Sequence, residues 1–195
     1  MKVLVFGATG PTGLEVVRQA REQGHEVTAF TRGVHGDATD AAGVARVIPG
    51  HDAVVSALGR RTTLRSDSLI QRSMRAIAPA MEKSGVRRLI LVSAFGVGDS
   101  RREAPLFPRL MYRLLLTDIF ADKKAAEDYL RGTALDWTFV YPVLLTNGPR
   151  TGRYRAGEHL DLRGIPKISR ADVADFILNE LRARAYVRKI AVVSD

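Results

Sequence analysis

The chain has 195 residues, of which 46% are hydrophobic and 26% charged, a composition typical of a globular protein with a substantial core. The absence of cysteine excludes disulfides, thiol catalysis and thiolate metal sites, and no two of the 4 histidines are closely spaced, so we expect no metal site. A net charge of +9 favours phosphate-bearing ligands, but without a recognition-helix motif or interleaved aromatic residues we expect a largely solvated basic surface and no nucleic acid partner.

Six apolar runs bounded by turn residues predict strands, because most of them are apolar on consecutive positions, as in strands covered on both faces. They are Lys2–Phe6, Glu26–Thr31, Ala53–Ala57, Arg88–Ser93, Trp137–Tyr141 and Ile190–Val193. The intervening stretches with helical periodicity are Thr12–Gln23, Ser66–Ser84, Thr117–Arg131 and Arg170–Arg184. This alternation predicts an α/β fold, a doubly wound parallel sheet with helices on both faces.

The sequence shows no linker, repeat or low-complexity segment. We therefore expect a single domain over residues 1–195, with a small carboxy-terminal region on the substrate side. No stretch approaches the ~18 uninterrupted apolar residues of a membrane span. The amino-terminal residues also lack the apolar region and cleavage site of a secretion signal, so we expect a cytoplasmic protein without membrane contact.

The first predicted strand runs into a turn with three glycines, Gly7, Gly10 and Gly13, which opens the first predicted helix. In this context the pattern predicts a dinucleotide-binding loop. Gly7 allows the sharp turn, Gly10 lets a pyrophosphate approach the backbone, and Gly13 lets the helix pack closely on the sheet. The free N–H groups and the positive end of the helix then face the phosphates. The predicted contact residues of the turn are Gly7, Thr9, Gly10, Pro11, Thr12 and Gly13.

The second predicted strand ends beside Arg32, where the adenosine ribose of a dinucleotide would lie. A guanidinium suits the 2′-phosphate of NADP, whereas the carboxylate usual in NAD sites would repel it, so NADP(H) is the expected cofactor. A solvated turn arginine is the alternative. Asp37 is expected to accept from the adenine amino group, with a helix cap as the alternative. Ala57, Leu58 and Gly59 close the third strand and are expected to border the adenosine half.

Taken in order, the motifs of this chain resemble the atypical short-chain dehydrogenase/reductases, and within them the NAD(P)H-binding, NmrA-like branch similar to biliverdin reductase B, also called flavin reductase. The motifs are Phe6-Gly7-Ala8-Thr9-Gly10-Pro11-Thr12-Gly13, Phe30-Thr31-Arg32, Gly36-Asp37, Ser93-Ala94-Phe95, Lys124-Ala125-Ala126-Glu127 and Ile168–Ala174. The resemblance covers nearly the whole chain and implies a Rossmann-like fold that binds NADP(H). It also implies that Ser93 stands beside the nicotinamide and substrate, that Lys124 lies near the nicotinamide ribose, and that Pro142, Val143 and Leu144 line the nicotinamide.

Two features depart from the family pattern. Only three residues separate Arg32 from Gly36, so we expect a more open adenosine side than in relatives. The dehydrogenase Tyr-x-x-x-Lys motif has Phe120 in place of the tyrosine, and phenylalanine has no proton to give. This excludes carbonyl reduction by a lysine-tuned phenol at that position, and Tyr141 and His159 are open alternatives as proton donor.

Reduction of a flavin or quinone is less demanding than reduction of a ketone, because the acceptor delocalises the arriving charge. We therefore predict an NADPH-dependent reductase of flavins, quinones or similar conjugated acceptors, in which Ser93 and Lys124 act at the reacting end. Its partner would be a small flavin, quinone or tetrapyrrole-like acceptor, and the protein would be a monomer or homodimer. The competing hypothesis is a non-catalytic, NmrA-like regulator that senses NADP(H), which the phenylalanine and the basic surface favour.

Two further segments are expected to border the substrate, Gly96–Arg113 and Thr146–Gly164, because their apolar and aromatic residues suit a flat ligand. Core packing or a dimer contact is the alternative for these residues. Arg60, Arg61 and Arg65 follow the third strand and could meet an anionic substrate such as a flavin phosphate, with plain solvation as the alternative.

Overall fold

The computed structural model describes residues 1–59, 67–98 and 117–195. Its helices are α1 (Pro11–Glu22), α2 (Arg32–His35), α3 (Ala41–Val47), α4 (Leu69–Ser84), α5 (Thr117–Arg131) and α6 (Arg170–Ala183). Its strands are β1 (Lys2–Phe6), β2 (Glu26–Phe30), β3 (Ala53–Ser56), β4 (Arg88–Val92), β5 (Asp136–Pro142), β6 (Leu144–Thr146), β7 (Arg155–Gly157), β8 (Lys167–Ser169) and β9 (Lys189–Ser194).

Seven strands form one sheet in the order β2-β1-β3-β4-β5-β9-β7. All neighbours run parallel except β7, which pairs antiparallel with β9 at the edge, and β6 and β8 form a separate parallel pair. The chain moves from β1 outward to β2 and then returns past β1 to β3. This reversal makes the gap between the ends of β1 and β3 the topological switch point, where open α/β sheets bind ligands.

Helices pack in two groups, α1 on α6 and α4 on both α3 and α5. Right-handed crossovers in opposite directions from the switch point place such groups on opposite faces of a sheet. The inner strands are covered accordingly, and all five residues of β4 and all four of β3 are buried. The predicted doubly wound parallel sheet with helices on both faces is confirmed.

All six predicted strands and four predicted helices are present; Lys2–Phe6 and Thr117–Arg131 have the predicted bounds, and the ends of the others are shifted by at most three residues. The prediction missed α2, α3 and the short strands β6, β7 and β8, because each is too short to show a clear period. The start of α4 is also later than predicted, at Leu69, and the predicted first residue Ser66 lies outside the described residues. The carboxylate of Asp122, on α5, accepts from the N–H groups of Ile70 at 3.0 Å and Gln71 at 2.9 Å, which fixes where α4 begins.

Across residues 1–59, 67–98 and 117–195, no helix is long and apolar enough to cross a membrane.

Candidate functional site

A cavity of about 440 Å³ lies at the switch point, and we call it the turn cavity. It is lined by Gly7, Thr9, Gly10, Phe30, Thr31, Arg32, Gly36, Ala38, Ala57, Leu58, Gly59 and Leu69. The structure thus brings the glycine turn after β1 together with the ends of β2 and β3. Of the residues predicted to hold the phosphates and the adenosine, most line this cavity.

The glycines of the turn serve two different needs. A Cβ on Gly7, whose φ is +75°, would lie 2.5 Å from the Ala57 carbonyl oxygen, and one on Gly13 would lie 2.1 Å from the Gly7 carbonyl oxygen. The fold itself therefore requires glycine at both positions. A Cβ on Gly10 would come no closer than 3.3 Å to the same oxygen, and Gly10 lines the cavity. The bare backbone at Gly10 fits a ligand that approaches the turn.

The amino-terminal end of α1 is left open. Gly10 is its N-cap residue, Pro11 occupies the first turn, and no acidic residue lies there. The other helices of seven or more residues with a described N-cap are closed by side chains: α3 by Asp40, α4 by Asp122 and α6 by Ser169. Among the described residues, α1 alone of these keeps its first N–H groups and positive dipole end available, which suits an anion.

Arg32 lies at the rim of the turn cavity with its side chain 80% exposed. Its guanidinium is 3.2 Å from a carboxylate oxygen of Asp37. That carboxylate also accepts from the backbone N–H and the hydroxyl of Thr39, and these donors, with the charge of Arg32, lower the pKa of Asp37. Asp37 does not line the cavity and caps no helix, since Asp40 is the N-cap of α3. The structure therefore places Asp37 as a partner of Arg32.

A second cavity of about 570 Å³ adjoins the first, and we call it the Ser93 cavity. Both are bordered by Gly10, Ala57, Leu58 and Gly59, so together they form one cleft across the switch point. The rest of the Ser93 cavity is lined by Pro11, Thr12, Val92, Ser93, Ala94, Ile119, Phe120, Lys123, Leu145, Asn147 and Arg170. Every predicted turn residue except Gly13 therefore lines this cleft.

Lys124 does not reach the Ser93 cavity. Its ammonium lies 2.5 Å from the carboxylate of Asp128, on the exposed side of α5. The preceding residue, Lys123, lines the cavity instead and donates to the carbonyl oxygen of Val92 at 3.2 Å. Residues three and four positions after Phe120 both fall one turn along the helix, so the sequence spacing alone could not separate the two lysines.

The residues predicted to line the nicotinamide also lie outside the lining of the Ser93 cavity. Pro142 and Val143 are buried and Leu144 is 54% exposed, and none of the three lines the Ser93 cavity. Leu145 and Asn147, slightly further along the chain, line that cavity.

Ser93 is connected to a buried acid that the sequence did not single out. Its hydroxyl donates to one oxygen of the Glu127 carboxyl at 2.5 Å, and the Tyr141 hydroxyl donates to the other oxygen, also at 2.5 Å. Glu127 is only 2% exposed, and this burial raises the pKa of Glu127, although the two hydroxyls and the charges of Lys123 and Arg131 oppose the rise. Burial and the neighbouring Glu127 carboxyl also raise the pKa of Tyr141.

Glu127 and Tyr141 border a third cavity, of about 270 Å³, which we call the Tyr141 cavity. Exposed residues of its lining, Lys124, Glu158 and His159, connect it to the surface. The alternative donors Tyr141 and His159 thus lie here and not in the Ser93 cavity. The only sequence signal for Glu127 is its place in the Lys124-to-Glu127 motif, which says nothing about its partners.

Some predicted contacts lie outside the described residues, namely Arg60, Arg61, Arg65 and most of Gly96–Arg113. Of the Thr146–Gly164 segment, Asn147 borders the Ser93 cavity and Glu158 and His159 border the Tyr141 cavity. In the described part of the chain, no group of three or more His, Asp or Glu side chains could hold a metal ion.

Comparison with known proteins agrees with this geometry. A family model described as NAD(P)H-binding matches residues 32–184, which is most of the chain. The match begins after the glycine turn, so the turn is an independent observation. The uncharacterized protein YwnB of Bacillus subtilis (strain 168) is 27% identical over 202 aligned residues, which cover 93% of this chain and 92% of YwnB.

Solved structures show the same fold. A candidate exported protein from Burkholderia pseudomallei is 30% identical with a TM-score of 0.84, and 100% of both chains is covered. SP1627 from Streptococcus pneumoniae TIGR4, a candidate NADH-flavin reductase, is 25% identical with a TM-score of 0.82, covering 100% of this chain and 99% of that one.

Proposed function

Because the chain belongs to this NAD(P)H-binding family, we propose that it is an NADPH-dependent reductase of flavins, quinones or similar flat conjugated acceptors. The turn residues Thr9 to Thr12 hold the pyrophosphate, Gly13 lets α1 pack closely on the turn, and Arg32 binds the 2′-phosphate. The acceptor and the nicotinamide share the Ser93 cavity. This assignment makes the cleft a path from the adenosine end at Arg32 to the reacting end at Ser93.

The observation that carries the proposal is the open start of α1 at the switch point. Three other helix starts in the described chain are closed by Asp40, Asp122 and Ser169, whereas α1 begins at Gly10 and Pro11 with no side-chain cap. An uncapped helix terminus costs stability unless a ligand or water satisfies its N–H groups. A phosphate-bearing anion such as the pyrophosphate of a dinucleotide suits such a terminus.

At the reacting end, the bound cofactor would supply a hydride, and the chain supplies orientation and exclusion of water. The buried Ser93 hydroxyl lies in the cavity wall, where it can contact the carboxamide or the acceptor. We assign the role first expected of Lys124 to Lys123, because Lys123 alone of the two borders this cavity.

The lining also favours a flat acceptor. Ile119, Phe120 and Leu145 offer apolar contact, and Arg170 adds a positive charge that suits an anionic ligand such as FMN. SP1627, of the same fold, is described as a candidate NADH-flavin reductase, which supports this class of acceptor. Quinones and tetrapyrroles remain within the same proposal because they are also flat and conjugated.

Turnover tests the proposal directly. Purified protein with NADPH and excess FMN should oxidise NADPH steadily, above the rate without protein, as followed by the absorbance of reduced nicotinamide. Quinones and linear tetrapyrroles are assayed in parallel. Tight NADPH binding without oxidation of NADPH by any of these acceptors would reject the reductase function.

The cofactor preference has a test of its own. The Arg32→Glu variant should lose most of its preference for NADPH over NADH, because a carboxylate repels the 2′-phosphate. We expect the ratio of the two kcat/KM values to fall by roughly 100-fold, from one lost charge-assisted contact and one new repulsion. Arg46→Glu makes the same change of charge at an exposed site on α3 and should keep the ratio. An unchanged ratio in Arg32→Glu would show that Arg32 does not bind the 2′-phosphate.

A second candidate function is a non-catalytic sensor of NADP(H), and Phe120 favours it. Phe120 borders the Ser93 cavity at the position where dehydrogenases carry their tyrosine, so no phenol faces the reacting end there. Such a sensor would bind NADPH in calorimetry and change its affinity for a partner protein, with no oxidation of the cofactor.

We also propose a cytoplasmic location, because a chain without cysteine uses none of the disulfide chemistry of oxidising compartments. The similar Burkholderia protein is described as a candidate exported protein, so fractionation of cells that express the chain is the deciding measurement. Sedimentation of the purified protein would decide between monomer and homodimer.

A further inference from the structure

The hydrogen-bonded series Ser93–Glu127–Tyr141 joins two cavities that have no lining residue in common among the described residues. Ser93 borders the Ser93 cavity, whereas Glu127 and Tyr141 border the Tyr141 cavity. The two hydrogen bonds of 2.5 Å make the connection continuous through a region where all three residues are almost fully buried. Hydrogen bonds between a hydroxyl and an ionised carboxyl are strong, charge-assisted contacts, and each of these two bonds links a proton donor directly to its acceptor.

The protonation state of the Glu127 carboxyl decides whether the Ser93 hydroxyl can donate a hydrogen bond to a ligand. When Glu127 is ionised, both hydroxyls donate to its carboxylate, so Ser93 can only accept from the cavity. When Glu127 is protonated, its own O–H can donate to the Ser93 oxygen, and the Ser93 proton is then free to point into the cavity. The carboxyl therefore controls whether the reacting end has a donor.

We propose that Glu127 is a positioning residue that stores the proton for the reduced acceptor and delivers it through the Ser93 hydroxyl. This inference rests on the proposed reductase function and deepens it. It supplies, through Ser93 in the cavity lining, the proton that Phe120 cannot give.

The proton balance is complete with water as the only further reactant. Bound NADPH would supply the hydride to the acceptor, and the Ser93 oxygen would supply one proton. In the same step Ser93 takes the proton of Glu127, so Ser93 ends neutral and Glu127 ends ionised. Glu127 then regains a proton from water through the Tyr141 cavity, whose lining reaches the surface at Glu158 and His159.

The surroundings of Glu127 act on its pKa in opposite directions. Burial favours the protonated carboxyl, whereas the Ser93 hydroxyl after β4, the Tyr141 hydroxyl on β5, and Lys123 and Arg131 on its own helix favour the ionised form. Glu158 and His159, before β8, border the same cavity. Because the acid must be protonated to act, kcat should fall as pH rises through the pKa of Glu127, which lies above its ordinary value.

Glu127→Gln tests the proposal, because glutamine keeps the shape of the side chain but cannot give a proton. Its amide oxygen can accept from one of the two hydroxyls, and its NH2 group can donate to the oxygen of the other. We expect kcat with FMN to fall by at least about tenfold and to lose this alkaline decline, while the Kd for NADPH stays within about twofold of wild type. Asp118→Asn removes an exposed carboxylate from the first turn of the same helix and should keep the wild-type pH profile. A Glu127→Gln profile that matches wild type would overturn the proposal.

A second variant and a second readout guard against a merely structural effect. Tyr141→Phe removes a donor that favours the ionised carboxyl, so the decline of kcat should move to higher pH. In infrared difference spectra of the cofactor-free protein, a protonated carboxyl band should titrate at the same pH, move with Tyr141→Phe and be missing in Glu127→Gln. A carboxyl band that is unchanged in both variants would overturn the proposal. If wild type then still oxidises NADPH steadily, the reductase function stands. No turnover in wild type would overturn both.

Discussion

The turn cavity and the Ser93 cavity share Gly10 and residues 57–59, but the rest of each lining is made of different residues. The turn cavity depends on backbone: the bare turn after β1, the open start of α1 and the strand ends at the switch point. The Ser93 cavity depends on side chains from α5, α6, β6 and the end of β4, such as Lys123, Arg170 and Leu145.

This difference explains how each half is held. In the turn cavity, glycine is required because backbone lies against backbone, as at Gly7 and Gly13. In the reacting half, the side chains are fixed by long-range polar contacts, such as Glu127 with Ser93 and Asp122 with the start of α4. Substitutions in the turn after β1 should therefore destabilise the protein through backbone strain. Substitutions around the Ser93 cavity should destabilise it by removing side-chain hydrogen-bond partners.

Gly13→Ala should give the largest effect, because its Cβ would lie 2.1 Å from the Gly7 carbonyl oxygen. Relieving that overlap must move the turn or α1, and we expect a loss of about 3 kcal/mol in the free energy of unfolding. NADPH binding should be lost with it. Gly33→Ala, with nothing within 4 Å of its Cβ, is the matched control in chemical denaturation. A Gly13→Ala protein as stable as this control would break the distinction between the two halves.

The same distinction explains what the sequence could predict. The turn after β1 is contiguous, so its glycines, Thr9 and Thr12 are visible as one motif, and Arg32 follows from the end of β2. The prediction also recovered the sheet, because consecutive buried residues mark its inner strands. The missed strands are three residues each, and their pairing partners are far away in the chain.

The reacting half could not be derived in the same way. Glu127 gains its meaning from Ser93, 34 positions earlier, and from Tyr141, 14 positions later, and no local pattern links the three residues. Lys123 and Lys124 are adjacent, and only the packing of α5 decides which of them faces the cavity. Ser93 itself was predicted from the family resemblance that the Ser93-Ala94-Phe95 motif carries, at the end of the fourth predicted strand.

Asp122→Ala should give a smaller effect, confined to the reacting half. It removes the carboxylate that accepts from the N–H groups of Ile70 and Gln71, and we expect a loss of about 1–2 kcal/mol in the free energy of unfolding. Because the contact also joins α5 to α4, kcat with FMN should fall more than NADPH affinity does. Asp40→Ala removes an exposed cap from α3 and should cost less, about 1 kcal/mol. Equal losses of NADPH affinity and kcat would show that the turn cavity and the Ser93 cavity do not depend on separate contacts.

The smallest effect concerns Lys123, whose burial lowers its pKa to about 8 from 10.5, against the opposing charges of Glu127 and Asp122. The charged form is therefore less stable in the fold than in the unfolded chain. Below about pH 8 this cost is fully present, and it disappears as pH rises towards 10.5, where the unfolded chain also loses the proton. Lys123→Met should thus be more stable than wild type at neutral pH, by at most about 1 kcal/mol.

The advantage of Lys123→Met should shrink as pH rises above about 8, which chemical denaturation at several pH values would measure. Lys124→Met, the adjacent change at an exposed ion pair, should alter stability little. Turnover completes the test, since Lys123→Met should slow NADPH oxidation with FMN more than Lys124→Met does. The opposite order would return the reacting end to the lysine that the sequence motif indicates, and α5 would have to present a different face to the cleft.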